Sequence, residues 1–208
     1  MSDAATRRRL VLLRHGLTAW NAASRWQGHA DIELTETGHL HAKAAASALA
    51  AYRPARILSS DLRRAAVTAQ AVAELVGLTP SYDARLREIH VGEFSGLTKR
   101  EVLERFGHGP HDHSEHGGES EDDVLARMLP ALREVAAATA PGETTVVVSH
   151  GAALRLGVRG FLGWPASVAP TLGALDNCGW IVLEESAPST STTPRWRLAA
   201  YNRVAPIS

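Results

Sequence analysis

The sequence predicts a three-layer α/β domain, with a mixed, mostly parallel sheet and helices on both faces. Three observations predict it. Short, continuous apolar runs alternate with helical stretches from Leu10 to Leu162. Two of those runs are followed by a histidine and a glycine, at His15-Gly16 and His150-Gly151. The chain has 208 residues and 45% hydrophobic content, enough for one full core and slightly long for the commonest domain size. The expected organisation is a single domain over 1–208, with 1–8 as a flexible N-terminus.

Leu10 to Leu13 is four apolar residues directly ahead of the first histidine motif, which suits a strand buried on both faces. Thr35-Glu-Thr-Gly38 opens an alanine-rich stretch to Ala51 that reads as a helix, and Arg56 to Leu58 reads as a second buried strand. Ser60 or Asp61 is placed to cap the next helix, which runs to about Val76 and stops at Gly77. Pro80 to Glu88 reads as strand and loop, Thr98 to Phe106 as a short helix and Glu119 to Ala138 as a longer one. Thr144 to Val148, a valine run, is the clearest strand of all, and a helix from about Ala152 to Leu162 follows it. The tail reads as antiparallel β at Leu172 to Asp176, Trp180 to Glu184 and Trp196 to Tyr201, with a Ser/Thr/Pro-rich loop over 186–194.

Formal charge is zero, from 22 basic and 22 acidic side chains, so there is no global electrostatic footprint for nucleic acid or an anionic membrane, and any anion site has to be local. Cys178 is the single cysteine and cannot form an internal disulfide. No apolar run approaches the roughly 20 residues that span a bilayer. Arg7 to Arg9 ahead of Leu10 to Leu13 looks like the start of a secretion signal, but four apolar residues fall short of the ~7 to 15 of a signal core. The expectation is a cytoplasmic protein.

Ligands of open α/β sheets bind at the carboxyl ends of the strands. Neighbouring strands would bring His15 and His150 into one pocket, and Arg14, with Arg63 and Arg64 after another strand end, would add guanidinium groups able to grip a phosphate bidentately. Gly16 permits close backbone approach, and the helix start at Gly151 offers amide donors and a favourable dipole to an anion. Expelling an alkoxide from a phosphate ester also needs a proton, and Glu88, in Leu86-Arg-Glu-Ile-His-Val-Gly92, is the candidate source; Glu93 lies close enough to compete for the role.

Five segments together resemble the histidine phosphatase superfamily, in its phosphoglycerate mutase-like branch: Leu13-Arg-His-Gly-Leu-Thr-Ala-Trp-Asn21, Ser59-Ser-Asp-Leu-Arg-Arg-Ala-Ala-Val-Thr-Ala69, Leu86-Arg-Glu-Ile-His-Val-Gly-Glu-Phe-Ser-Gly96, Gly117-Gly-Glu-Ser120 and Val148-Ser-His-Gly151. The resemblance runs from about Leu10 to Ala166. It implies a phosphoglycerate mutase-like sandwich in which His15 attacks phosphorus and becomes phosphohistidine. Arg14, Arg64 and His150 would bind the phosphoryl oxygens, with Gly151 beside them, and Glu88 would act as acid and then base. Asn21 matches a position near the phosphate; Thr18, Gln27 and Gly28 are weaker substrate-contacting candidates. Arg64, directly before Ala65, aligns with the family arginine, which leaves Arg63 as a surface residue. Residues 106–118 fall in the family's variable lid region. Arginines and a histidine take the place of the usual magnesium, so neither metal nor cofactor is expected.

The resemblance implies a phosphomonoester hydrolase acting on a small phosphorylated metabolite. Arg25-Trp-Gln-Gly28, His116-Gly-Gly-Glu-Ser120, Asn177, Trp180 and Arg195-Trp-Arg-Leu198 look like members that act on glucosyl-3-phosphoglycerate, so a phosphorylated glycerate or sugar is the preferred substrate class. A cofactor-dependent phosphoglycerate mutase is the nearest alternative; the stretch after Arg105, with only His, Gly, Pro, Asp, Ser and Glu beyond Phe106, lacks the added basic groups that a mutase lid carries. A non-enzymatic phospho-ligand-binding protein on this fold would have lost His15 or Glu88. His108, His111, His113 and His116, with Asp112 and Glu115, could hold a metal, but their spacing fits no usual zinc signature and a solvated loop is the expectation. Trp20 and Trp26 either line the pocket mouth or pack. A small phosphate ester is the expected partner, with nucleic acid and membrane excluded and a homodimer left open.

Overall fold

Apolar side chains that alternate along extended backbone must be covered on two faces, and the fold does this with one sheet and two helical layers. In a computed structural model that describes residues 6–107, 113–186 and 195–206, six strands form a single sheet. They are β1 (Arg9–Arg14), β2 (Arg56–Ser59), β3 (Ser81–Tyr82), β4 (Thr144–Ser149), β5 (Trp180–Glu185) and β6 (Trp196–Arg203). Their order is β3-β2-β4-β1-β5-β6, parallel from β3 to β1 and antiparallel in the last two. β1 and β4 lie side by side in register from Arg9 opposite Thr144 to Arg14 opposite Ser149, so the two histidine motifs leave the sheet together.

The helices are α1 (Ala19–Ala22), α2 (Glu36–Ala50), α3 (Arg63–Val76), α4 (Lys99–Phe106), α5 (Glu121–Ala138) and α6 (Gly151–Phe161). Val11, Leu13, Val146 and Val148 face the alanine-rich α2 and α3, through Ala42, Ala46, Leu49, Ala65, Ala69 and Val72. Leu10, Leu12 and Val147 face the other way, into a core completed by α4, α5 and α6. Each fully buried leucine or valine contributes about 1.5–3 kcal/mol by leaving water, and small alanines let α2 and α3 approach the sheet closely. Thr35, Thr98 and Ser120 cap α2, α4 and α5 through their side chains, and Gly77 ends α3 in the left-handed conformation.

Two readings of the sequence are corrected. The N-cap of α3 is Leu62, which offers no side-chain bond; Ser60 instead accepts the Leu62 amide at 3.3 Å and Asp61 pairs with Arg87 at 2.5 Å. Leu172 to Asp176 is not a strand. Side chains take its backbone groups before a neighbouring strand could: Arg14 donates to the Leu175 carbonyl, Tyr201 to that of Gly173, and Asn202 accepts the Asp176 amide.

Of residues 1–8, the first five lie outside the described residues. The remainder is fastened, because Thr6 accepts the Gly142 amide and Arg8 pairs with Glu185 through two nitrogens at 2.7 and 2.5 Å. The 186–194 loop, apart from Ser186, and His108, His111 and Asp112 also lie outside the described residues. Among the described residues no helix is long and apolar enough to cross a membrane.

Candidate active site

His15 is the first residue beyond β1, 2% exposed, with its amide on the Ser149 carbonyl at 3.0 Å. Its position depends on two glycines. A Cβ on Gly16 would meet the Gly38 carbonyl oxygen at 2.5 Å, and one on Gly38 would meet that of Leu17 at 2.1 Å, so the loop after β1 lies directly against the first turn of α2. The His15 Nδ1–H donates to the Gly16 carbonyl at 2.7 Å, which leaves Nε2 as the ring nitrogen with the lone pair. Burial, then the charges of Arg64 and Arg14, hold the imidazole well below the usual histidine range. It is a neutral base.

Arg64 begins α3 and is fully buried. It donates through Nη2 to the Gly28 carbonyl and through Nη1 to that of Ala30, both at 2.7 Å, and through Nε to His150 Nδ1 at 3.2 Å. Burial pushes its guanidinium down to about 10, still charged at neutral pH. Because His150 Nδ1 accepts from Arg64, its Nε2 carries the proton and donates to Ser60 Oγ at 2.8 Å. Arg14 anchors one terminal nitrogen on the Leu175 carbonyl while its buried Nε has no hydrogen-bond partner among the described residues. Gly151 lies against that guanidinium: a Cβ there would sit 3.4 Å from Arg14 Nε.

Glu88 occupies the start of α6. Its Oε1 accepts the amides of Ala153 at 2.8 Å and Ile89 at 3.0 Å, and its Oε2 that of Ala152 at 3.2 Å. The amide donors and dipole expected to serve an anionic ligand are thus engaged by a carboxylate of the protein itself. Glu93 is 59% exposed and lies 3.5 Å from His116, away from this centre.

His15, Arg14, Arg64, Glu88, Asn21, Gln27, Gly28 and Trp26 all line one cavity of about 260 Å³. Thr18 stands behind it, fully buried: it caps α1 and its hydroxyl lies 3.0 Å from both Asn21 Oδ1 and Gln27 Oε1. Arg63 is exposed on Glu33 at 2.5 Å, as expected for a surface residue. Trp20 packs over Gly96. His113 meets Phe94 edge to face and His116 meets it at a tilt, with ring centroids 5.5 and 4.7 Å away, so both pack as aromatic filling.

Sequence reasoning gave no role to three residues that build this centre. Asn177 Nδ2 lies 3.1–3.2 Å from the His15 and Gly16 carbonyls and Asn21 Oδ1, tying the loops together. His29 Nε2 donates to the Glu88 carbonyl at 2.8 Å. Arg127, in the middle of α5, donates to the carbonyls of Arg85, Arg87 and Glu88 at 2.7–2.9 Å and grips Glu119 through two nitrogens at 2.7 and 2.8 Å. A mid-helix arginine carries no local mark of such a task; Glu119, in the Gly-Gly-Glu-Ser segment, was the available signal.

Known proteins resemble this chain over nearly its whole length. The chain is 39% identical over 216 residues to the glucosyl-3-phosphoglycerate phosphatase of Mycobacterium tuberculosis, covering 97% of both chains. It is 37% identical over 218 residues to the protein of that name from Mycolicibacterium vanbaalenii, again covering 97% of both. A solved mycobacterial glucosyl-3-phosphoglycerate phosphatase in complex with VO3 superposes with a TM-score of 0.82 at 38% identity, over 94% of this chain and 98% of that one. Residues 10–197 match the family model of the histidine phosphatase superfamily, branch 1, and the chain belongs to that superfamily.

Proposed function

We propose that the protein is a phosphomonoester hydrolase that works through a phosphohistidine at His15. The observation that carries this reading is the His15 tautomer: with Nδ1–H committed to the Gly16 carbonyl, Nε2 presents a lone pair in a cavity that also holds Arg14, Arg64 and Glu88. In the first step Nε2 bonds to phosphorus as the ester P–O bond breaks, and the Glu88 carboxyl gives its proton to the departing oxygen. In the second, Glu88 takes a proton from water, whose oxygen displaces Nε2 and releases inorganic phosphate. Arg14 and Arg64 neutralise the charge on the transferring group, and the His150 Nε2–H, which donates to Ser60 Oγ, is the donor that a phosphoryl oxygen would recruit. Asn21, Gln27 and Gly28 complete the rim, Gly151 leaves room for the Arg14 guanidinium, and Thr18 holds Asn21 and Gln27 in place.

The substrate we propose is a phosphorylated glycerate or sugar, glucosyl-3-phosphoglycerate foremost. The names of relatives aligned over 97% of both chains support it. The decisive experiment is a single turnover quenched within milliseconds and read by intact mass spectrometry, on the parent and on His15→Ala. A transient phosphoenzyme in the parent and none in the variant is expected; steady hydrolysis by His15→Ala would overturn the mechanism. A metabolite panel that includes a mutase assay then ranks the substrates.

A further inference from the structure

Beside the proposed phosphate cavity lies a second, of about 320 Å³, that shares Trp26, Ile89 and Ala152 with it. Its walls carry Glu119, Glu121, Arg155 and Arg159. Three of these four charges are already matched. Glu119 is held by Arg127 through both oxygens, and Arg159 reaches Glu121 at 2.9 Å. Arg155 is the exception: its Nε is buried and has no hydrogen-bond partner among the described residues. Arg155 thus lines the cavity with no ion-pair partner among the described residues, which leaves its charge available to an anionic group of a ligand.

The place of Arg155 indicates which group. Ala152 and Arg155 are one turn apart on α6, a rise of about 4.5 Å, and the Ala152 amide holds Glu88 Oε2. Anything bound one turn beyond Glu88 is therefore part of the leaving group, attached to the oxygen that Glu88 protonates. One uncompensated guanidinium between carboxylates that are themselves paired balances a monoanion; a second phosphate would call for more cationic charge.

We propose that Arg155 recognises a carboxylate on the leaving group, one or two carbons from the ester oxygen, so that the second cavity selects phosphorylated hydroxy acids over uncharged phosphate esters. This assignment rests on the phosphatase reading above. The test compares D-3-phosphoglycerate with glycerol 3-phosphate, which differ by a carboxylate against a hydroxymethyl group, and uses an aryl phosphate as the control, on the parent, Arg155→Met and Arg155→Lys.

The parent should favour the carboxylated ester by about 10- to 100-fold in kcat/KM, the span of a charge-assisted hydrogen bond. Arg155→Met should lose that preference chiefly through KM while aryl phosphate turnover stays within about twofold, and Arg155→Lys should keep part of it. The melting temperature of Arg155→Met should be unchanged or higher, since an unpaired buried donor is removed. Equal efficiency of the parent on the two esters overturns the proposal and leaves the phosphatase reading standing, and so does an equal loss on all three substrates with a lowered melting temperature. No turnover by the parent of any of the three, nor of glucosyl-3-phosphoglycerate, removes both.

Discussion

The imidazoles of His15 and His150 lie with their centroids 5.1 Å apart at an angle of 58°, both buried, and both kept well below the usual histidine range by burial and by Arg64. Two rings this close to two arginines cannot take up protons without adding like charge to a dry site, so the arrangement excludes the imidazolium form. The same arrangement that keeps a nucleophile available makes the fold sensitive to acid.

Both histidines bind a proton in the unfolded chain below about pH 6.5 and resist it in the folded one. The unfolded state then holds more protons, so stability rises with pH through this window and is fully present above it. Unfolding free energy measured by urea should fall as pH drops below 6.5, by up to about 1.4 kcal/mol per pH unit for each histidine. A His150→Asn variant should show a shallower slope; an unchanged slope would place the acid sensitivity elsewhere.

Glu88→Gln should slow hydrolysis of alkyl phosphates by about 100- to 1,000-fold and that of esters with good leaving groups far less, because only the former need protonation. Rates over a series of leaving groups check this. Equal losses across the series would assign the acid to another residue.

Arg127 lines neither cavity but holds three carbonyls of the Glu88 loop, those of Arg85, Arg87 and Glu88. Arg127→Lys should destabilise the fold by about 2–4 kcal/mol, since one ammonium cannot replace the two-nitrogen grip on Glu119 together with the three carbonyl bonds. Among molecules that remain folded, kcat on alkyl phosphates should fall more than on aryl phosphates, a split that a purely structural residue would not produce.

Gly38→Ala tests the contact beneath His15. With a Cβ 2.1 Å from a carbonyl oxygen the backbone has to shift, and a loss of about 3 kcal/mol, or about 6–12 °C in melting temperature, is expected. Calorimetry reads it directly, and a melting temperature within 2 °C of the parent would show that the loop yields easily.

Much of this was legible in the chain itself. β1 and β4 read as buried strands because valine and leucine runs of that length cannot be half-exposed, and once they were adjacent their terminal histidines had to meet. What the sequence could not show was where polar groups would find their partners. The amides at the start of α6 suit a phosphate or a carboxylate equally well, and only the path of the chain brings Glu88 to them. Leu172 to Asp176 reads as a strand ahead of two others, but Arg14, Tyr201 and Asn202 arrive from distant elements to take its backbone groups. Arg127 and Arg155 sit on helices where any exposed arginine would look the same; one is spent on carbonyls and the other is left unspent.

The turn Gly28-His29-Ala30 touches both halves of the chemistry. Its first and third carbonyls hold Arg64, and its middle side chain holds the backbone of Glu88. It works as a gauge block, setting the gap between the grip on phosphorus and the proton source. For an engineer this separates two tasks: the walls around Arg155 can be rebuilt to admit a new ester, while an insertion of a single residue between Gly28 and Ala30 would throw the reacting groups out of alignment whatever the substrate.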